Sequence, residues 1–319
     1  MELKNKNILV AGGAGFIGSH LCDSLIYKKN NVICADNYLR GNENNIKHLF
    51  DNDKFHFLKM DVSINQELDK IFNDYNIDYV FHLAANSDIQ ASAKAPQIEF
   101  KSTASTTWAL LDAMRKYNCK NLFFASTSAV YGKQNYGLLS EETTPLYPIS
   151  YYGSAKLASE AFISAFAKMN DMNALVFRFP NVIGNRLTHG VIFDFIAKLR
   201  SNPHELEVLG DGTQSKPYVH VSDLIKAIIN VSSENKGLNI YNVGVDSETD
   251  VKSIAQFVCE GMNLKNVKIN YGENNIGWKG DVPHFQYDLR KIWATGWKAT
   301  MTSDEAVKQT IDEVLSCKA

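Results

Sequence analysis

Tyr152 and Lys156 stand four residues apart in YYGSAKLASE, a spacing that puts two side chains on one face of a helix. A tyrosine titrates near ~10 and is a poor base at neutral pH. An ammonium beside it favours the phenolate. Lowering the phenol by about three pH units takes roughly 4 kcal/mol, within reach of two nearby cations in a partly dry site. The same pair also occurs on helices where it has no chemical role.

A second candidate lies in FFASTSAVYG, residues 123–132, where a strand runs out into Ser126, Thr127, Ser128 and Tyr131. Buried hydroxyls need partners. The stretch reads either as a Ser/Thr-rich turn or as a place where one hydroxyl faces a substrate.

The second cation would come from a bound cofactor. NILVAGGAGFIGSHL sets Gly12, Gly15 and Gly18 between a strand and a helix opening with Phe16 and Ile17. Bare glycines permit a tight turn and let backbone N–H groups approach a pyrophosphate at a helix N-terminus. Asp36 ends the next strand, with Asn37 after it, where an acid meets the adenosine ribose hydroxyls. Alone, Asp36 also reads as a strand-end turn former. Its charge would repel a 2′-phosphate, so the cofactor is expected to be NAD, whose oxidised nicotinamide supplies the cation. Asp61 and Val62 close the third strand and could flank adenine, while Leu83, Ala84 and Ala85 end the fourth and leave the cofactor room. His82, inside an apolar strand, reads as structural.

The elements that must hold these groups are legible in the pattern. NILVAG, NVICAD, KFHFLKMD, DYVFHLAA, NLFFAST and NALVFRFP alternate with helical stretches over 17–28, 65–74, 97–117 and 152–169. Such alternation gives an α/β, Rossmann-type doubly wound parallel sheet. Beyond Pro180 the pattern loosens: a helix near 190–201, a strand at LEVLG, a helix after Asp223, a strand at LNIYNVG, and helices near 251–262 and 303–316. The expected division is an NAD-binding domain over 1–180, with 218–245 returning to it, and a smaller, interleaved substrate domain mainly over 181–319.

Composition narrows the classes. The 319 residues carry 45% hydrophobic and 21% charged residues and a net charge of −2, which disfavours nucleic acid or an anionic membrane as partner. No apolar run nears the roughly 20 residues needed to span a bilayer, and the N-terminus has no secretory signal pattern. Five scattered cysteines, none in a Cys-x-x-Cys pair, suggest reduced thiols in a cytoplasmic protein, with no metal site.

In order along nearly the whole chain, GGAGFIGSH, AD at 35–36, HLAA, STSAVYG, Tyr152-x-x-x-Lys156, RFPNVIG, GDGTQSKPYVHVSD and GDVP resemble the extended short-chain dehydrogenase/reductases acting on nucleotide sugars. The resemblance implies that Thr127 polarises the sugar oxygen, Tyr152 is the base and Lys156 orients ribose and tyrosine. It leaves Ser126 and Ser128 to support the loop and Tyr131 to pack. In the family's 4,6-dehydratases an Asp–Glu pair follows that Thr, and decarboxylases usually carry Glu at the second position; here Ser128 and Ala129 stand instead. Neither is a general acid at neutral pH. Oxidation at one carbon with return of the hydride remains, as in UDP-glucose 4-epimerases, the members this chain most resembles.

Resemblance also assigns Asn181 and Lys216 to the substrate. Lys216 stands where many relatives place an Arg, keeping charge but losing the bidentate fork. Trp278 replaces another phosphate-binding Arg, and Thr103 a common Asn near the lysine. Two helices, around 97–117 and 152–169, form a dimer interface in many relatives, so a homodimer is expected, with Trp108, Leu110, Leu111, Phe162 and Phe166 as contacts or as core. The alternatives to a C4 epimerase are a C4 dehydrogenase or ketoreductase on another nucleotide sugar, such as a GDP-heptose, and a non-catalytic NAD-sensing protein.

Overall fold

The computed structural model describes residues 3–86, 89–133, 137–275 and 282–316. Strands β1 (Asn7–Ala11), β2 (Asn31–Asp36), β3 (Phe55–Lys59) and β4 (Tyr79–His82) alternate with helices α1 (Phe16–Tyr27) and α2 (Asn65–Tyr75). α3 (Ile89–Lys94) and α4 (Gln97–Glu99) precede a π-helical turn, Phe100–Ser105, which α5 (Thr106–Lys116) continues. β5 (Asn121–Thr127), α6 (Tyr151–Met169) and β6 (Asn173–Phe179) follow.

The single helix expected over 97–117 is therefore interrupted. Hydroxyls take up the displaced backbone: Thr106 Oγ1 donates to the Lys101 carbonyl, five residues back, and Thr107 Oγ1 to that of Thr103. A wide turn of this kind carries no glycine or proline signal, so periodicity alone could not show it.

The second half runs β7 (Asn181–Ile183), α7 (Val191–Ser201), β8 (Glu205–Val208), β9 (Ser215–Lys216), β10 (Tyr218–His220), α8 (Val221–Glu234), β11 (Leu238–Asn242), β12 (Thr249–Asp250), α9 (Val251–Gly261), β13 (Lys268–Tyr271), α10 (Arg290–Trp293) and α11 (Ser303–Ser316). α8 starts two residues before Asp223, because that carboxylate is engaged elsewhere, accepting from the Thr300 N–H and hydroxyl and the Met301 N–H.

Seven strands form one sheet in the order β11-β6-β5-β4-β1-β2-β3. β1 pairs parallel with β2 and β4, β2 with β3, and β4 with β5. Chain order reverses between β1 and β4, which opens a crevice at the carboxyl ends of those strands. Leu9, Ile33, Val80, Phe124, Leu110, Leu111 and Ile163 lie in one core beside the sheet, all at most 1% exposed. Leu110 and Leu111 are thus core residues.

The chain forms two compact units, one of residues 1–132, 144–178 and 225–241, the other of 133–143, 179–224 and 242–319. The second has its own core around Phe195, Leu206, Ile254 and Val307, with three two-stranded ladders, β7–β10, β8–β13 and β9–β12. Among the described residues no helix is long and apolar enough to cross a membrane.

Candidate active site

The glycine turn is built for a bare backbone. Gly12 has φ +83°, and a Cβ on it would lie 2.6 Å from the Ala84 nitrogen. A Cβ on Gly18 would sit 2.1 Å from the Gly12 carbonyl oxygen, so these two positions admit only glycine without movement. Gly15 is less confined, with the Gly12 oxygen 3.2 Å from its notional Cβ. It caps α1 with no side-chain hydrogen bond, and no acid occupies the first turn. The N–H groups of that turn, Phe16 and Ile17 among them, lack intrahelical partners and suit a diphosphate. The residues present therefore fit a dinucleotide.

Around this turn the carboxyl ends of four strands converge. The buried Asp36 carboxylate accepts from Ala14 N at 3.0 Å and Tyr38 N at 2.8 Å. Burial raises its pKa above the usual carboxylate value, opposed by the N–H groups of Tyr38, Ala14 and Gly15. Asn37 accepts from Leu39 N, and Asp61 from Ser63 N. Asp61 N–H donates to Glu67, and Val62 is buried. Leu83 N–H donates to the Ala11 carbonyl, and Leu83, Ala84 and Ala85 remain half-buried beyond β4.

Thr127, Tyr152 and Lys156 meet at the end of β5. Ser150 caps α6, accepting from Gly153 N at 3.1 Å. A Cβ on Gly153 would stand 2.5 Å from the Ala129 oxygen, so the helix start presses directly on the turn after β5. Thr127 Oγ1 accepts from Ala129 N at 3.2 Å, and its hydroxyl is hydrogen-bonded to the Tyr152 phenol. Lys156 is 2% exposed; its Nζ donates to the Ala125 carbonyl at 2.6 Å and lies 5.9 Å from the centre of the Tyr152 ring.

Burial pulls the Lys156 ammonium down to about 7, against the Glu99 and Glu160 carboxylates, which favour its charge. Burial raises the Tyr152 phenol, Glu99 adds to the rise, and only the Thr127 hydroxyl opposes it. The protein's own groups thus do not bring the phenol down as the spacing suggested. Desolvation outweighs the lysine, which at about 7 is only fractionally charged at neutral pH.

Glu99, Asn86 and Thr107 were not singled out from sequence. Glu99 is 1% exposed and accepts from Asn86 Nδ2 at 2.8 Å and the Thr103 hydroxyl at 3.1 Å. Burial raises its carboxyl pKa. Its spacing of four from Thr103 was the available signal, but a Glu on a helix ordinarily reads as solvated. His82 Nε2 lies 2.9 Å from Thr107 Oγ1, whose own proton is directed to the Thr103 carbonyl and Ser159 Oγ. Nε2 is accordingly the protonated nitrogen, while the buried Nδ1 has no partner among the described residues. Burial first, and then Lys156, hold this imidazole neutral by lowering its pKa.

Tyr131, expected to pack, does more: its hydroxyl accepts from Arg178 Nη1 at 3.0 Å. A phenol 0% exposed needs a polar partner, and β6 supplies one.

Asn181 and Lys216 belong to the second unit and to different ladders. Asn181 pairs with Tyr218 in β7–β10, and Lys216 with Thr249 in β9–β12. Trp278 lies outside the described residues.

A reversing parallel sheet, a glycine turn after β1, an acid ending β2 and a Tyr-x-x-x-Lys helix against a hydroxyl-bearing strand end define an extended short-chain dehydrogenase/reductase. The chain belongs to the NAD dependent epimerase/dehydratase family, whose profile matches residues 8–244. It is 33% identical to a putative UDP-glucose 4-epimerase of Methanocaldococcus jannaschii over 310 residues, 96% of this chain and 97% of that one. The crystal structure of the Thermotoga maritima UDP-glucose 4-epimerase with UDP-glucose superposes with a TM-score of 0.87 at 30% identity, covering 97% of this chain and 98% of that one. That of the Thermus thermophilus UDP-glucose 4-epimerase with NAD gives 0.86 at 27% identity, covering 98% and 100%.

Proposed function

We propose that this protein epimerises a nucleotide sugar of the UDP-glucose/UDP-galactose type at C4 through a transient 4-keto intermediate, using NAD. The observation that carries this reading is the meeting of Thr127, Tyr152 and Lys156 at the end of β5, with Ser128 and Ala129 where an acid pair would allow elimination. Similarity to 4-epimerases over nearly the whole chain supports it.

Bound NAD supplies the acceptor, and later the donor, of a hydride at the sugar carbon. Gly12, Gly15, Phe16, Ile17 and Gly18 would hold its diphosphate, Asp36 and Asn37 its ribose, and Asp61, Val62, Leu83, Ala84 and Ala85 would line its path. Tyr152 takes the proton of the 4-hydroxyl and returns it to the same oxygen after the hydride has come back to the opposite face of C4, which inverts the centre. Thr127 donates a hydrogen bond to that oxygen, and Lys156 orients ribose and phenol. Oxidised NAD, when bound, would add the positive charge that favours the phenolate and that the protein's own groups do not supply. Asn181 and Lys216 bind the nucleotide sugar, chiefly a task of residues 181–319.

We also assign a homodimer and a cytoplasmic location. The half-exposed Trp108 on α5 meets Phe162 and Phe166 on α6 edge-on, each at 5.3 Å, an aromatic surface suited to a second copy.

The test is proton NMR of the purified protein, with no added cofactor, on UDP-glucose, UDP-galactose, their N-acetyl forms and a GDP-sugar. The same C4-epimer mixture reached from either side is expected. Silence with every UDP-sugar, and NADH absorbance with the GDP-sugar, would replace the epimerase by a C4 dehydrogenase.

A further inference from the structure

Behind the Thr127–Tyr152–Lys156 corner lies a buried ion pair that the reaction itself does not use. Glu160 and Arg178 are 6% and 3% exposed. Arg178 Nη2 donates to Glu160 Oε2 at 2.6 Å, and Nε reaches Oε1 at 3.1 Å and Oε2 at 3.2 Å. Two further hydroxyls close on the pair. Ser126 Oγ donates to Glu160 Oε1 at 2.5 Å, and Tyr131 accepts from Arg178 Nη1, with the guanidinium carbon 4.9 Å from the centre of its ring.

These four residues come from β5, the 3-10 turn after it, α6 and β6. A buried pair of this kind contributes little net stability, because desolvation consumes most of the attraction. Its placement is informative instead. Thr127 sits between Ser126 and Tyr131, so both ends of the segment that carries it are tied to one charge pair. Glu160 lies one helical turn beyond Lys156, so the same carboxylate also fixes the helix bearing Tyr152 and Lys156. Lys156 adds its own bond to the Ala125 carbonyl on the other side of Ser126.

We propose that Ser126, Tyr131, Glu160 and Arg178 form a positioning clamp that sets the Thr127 hydroxyl against the Tyr152 phenol. This rests on the functional reading above, in which Thr127 and Tyr152 address the same sugar oxygen. Misplacing a catalytic hydroxyl by about 1 Å can cost ~100-fold in rate. The loss of one hydroxyl of the clamp, with the ion pair left in place, is expected to cost about tenfold.

Glu160→Gln and Arg178→Met strike the core and are unsuitable as sole tests. Ser126→Ala and Tyr131→Phe each remove one hydroxyl and leave the pair intact. In the NAD-bound protein, Ser126→Ala is expected to lower kcat about tenfold with KM and NAD content unchanged, and Ser126→Thr to restore it. In a Thr127→Ala background the same substitution is expected to do nothing further, because the Ser126 hydroxyl acts through the segment carrying Thr127 while the Glu160–Arg178 pair still holds the helix. Equal losses in both backgrounds, or no loss in either, would overturn the clamp.

In the NAD-bound protein, the phenolate absorbance of Tyr152, read against matched Tyr152→Phe proteins, gives a readout that needs no sugar. Ser126→Ala should move that titration to higher pH when Thr127 is present and leave it in place when Thr127 is Ala. An unmoved titration overturns the clamp even if wild-type protein proves to epimerise no sugar, a result that would by itself overturn only the proposed function.

Discussion

Lys156 Nζ, carried by α6, donates to the main-chain carbonyl of Ala125 on β5 at 2.6 Å. That bond spans from the helix bearing Tyr152 to the strand ending in Thr127, so one side chain ties together the two elements on which the reading depends. Its charge is a matter of balance. Burial opposes the ammonium, and Glu99 and Glu160 sustain it, leaving the group near 7.

The balance predicts how stability depends on pH. Lys156 has a folded value of about 7, below its unfolded 10.5. Between those values the unfolded chain binds more protons than the folded one, so this group makes stability rise with pH across the window. Below about 7 its penalty is fully present. The melting temperature of wild type should gain on that of Lys156→Met as pH rises from neutrality toward 10.5. Parallel curves would contradict the depressed lysine.

Tyr152→Phe keeps the ring and its packing and removes the proton carrier. A loss of about 10²–10⁴ in kcat is expected, with KM little changed. A comparable rise in KM with kcat intact would make Tyr152 a binding residue. Steady-state kinetics on the preferred sugar decides it.

Thr127 is expected to tolerate Ser and not Ala or Val. Removal of a hydrogen-bond donor from the reacting oxygen costs about 10²–10³ in kcat at comparable sites. Thr127→Ser should stay within a few-fold of wild type on the same scale. Near-equal kcat for Thr127→Ala and Thr127→Ser would remove the hydroxyl from the chemistry.

The glycines separate by geometry. Gly12→Ala meets the Ala84 backbone at 2.6 Å in a left-handed conformation, whereas Gly15→Ala meets only the Gly12 oxygen at 3.2 Å. Gly12→Ala should therefore lose about 1–3 kcal/mol of stability along with NAD. Gly15→Ala should fold with near-wild-type stability and bind NAD more weakly, its methyl standing at the helix N-terminus. Denaturant melts and the NAD content of the purified variants distinguish the two.

What the chain disclosed in advance follows a physical division. Groups announced by local rules were legible: the glycine turn by its spacing, Tyr152 and Lys156 by a helical interval, and β5 by an apolar run that ends at Thr127. The strands of a doubly covered sheet are buried on both faces and read plainly as β-rich runs. The π-turn at Phe100–Ser105 was not legible, because it differs from an α-helix only in which carbonyl each N–H and hydroxyl finds. Nor was the Glu160–Arg178 pair. Its residues are 18 apart in sequence and meet only when α6 packs back across the sheet. Tyr131 looked like packing for the same reason, since its partner arrives from β6.

The most direct test of C4 oxidation and hydride return is the fate of the hydrogen at that carbon. UDP-glucose deuterated at C4, incubated with the purified protein and no added NAD, should give UDP-galactose that keeps its deuterium while the hydroxyl proton exchanges with solvent. Epimerisation with loss of that deuterium to water would contradict the account, because a Tyr152-assisted hydride cycle never releases the C4 hydrogen.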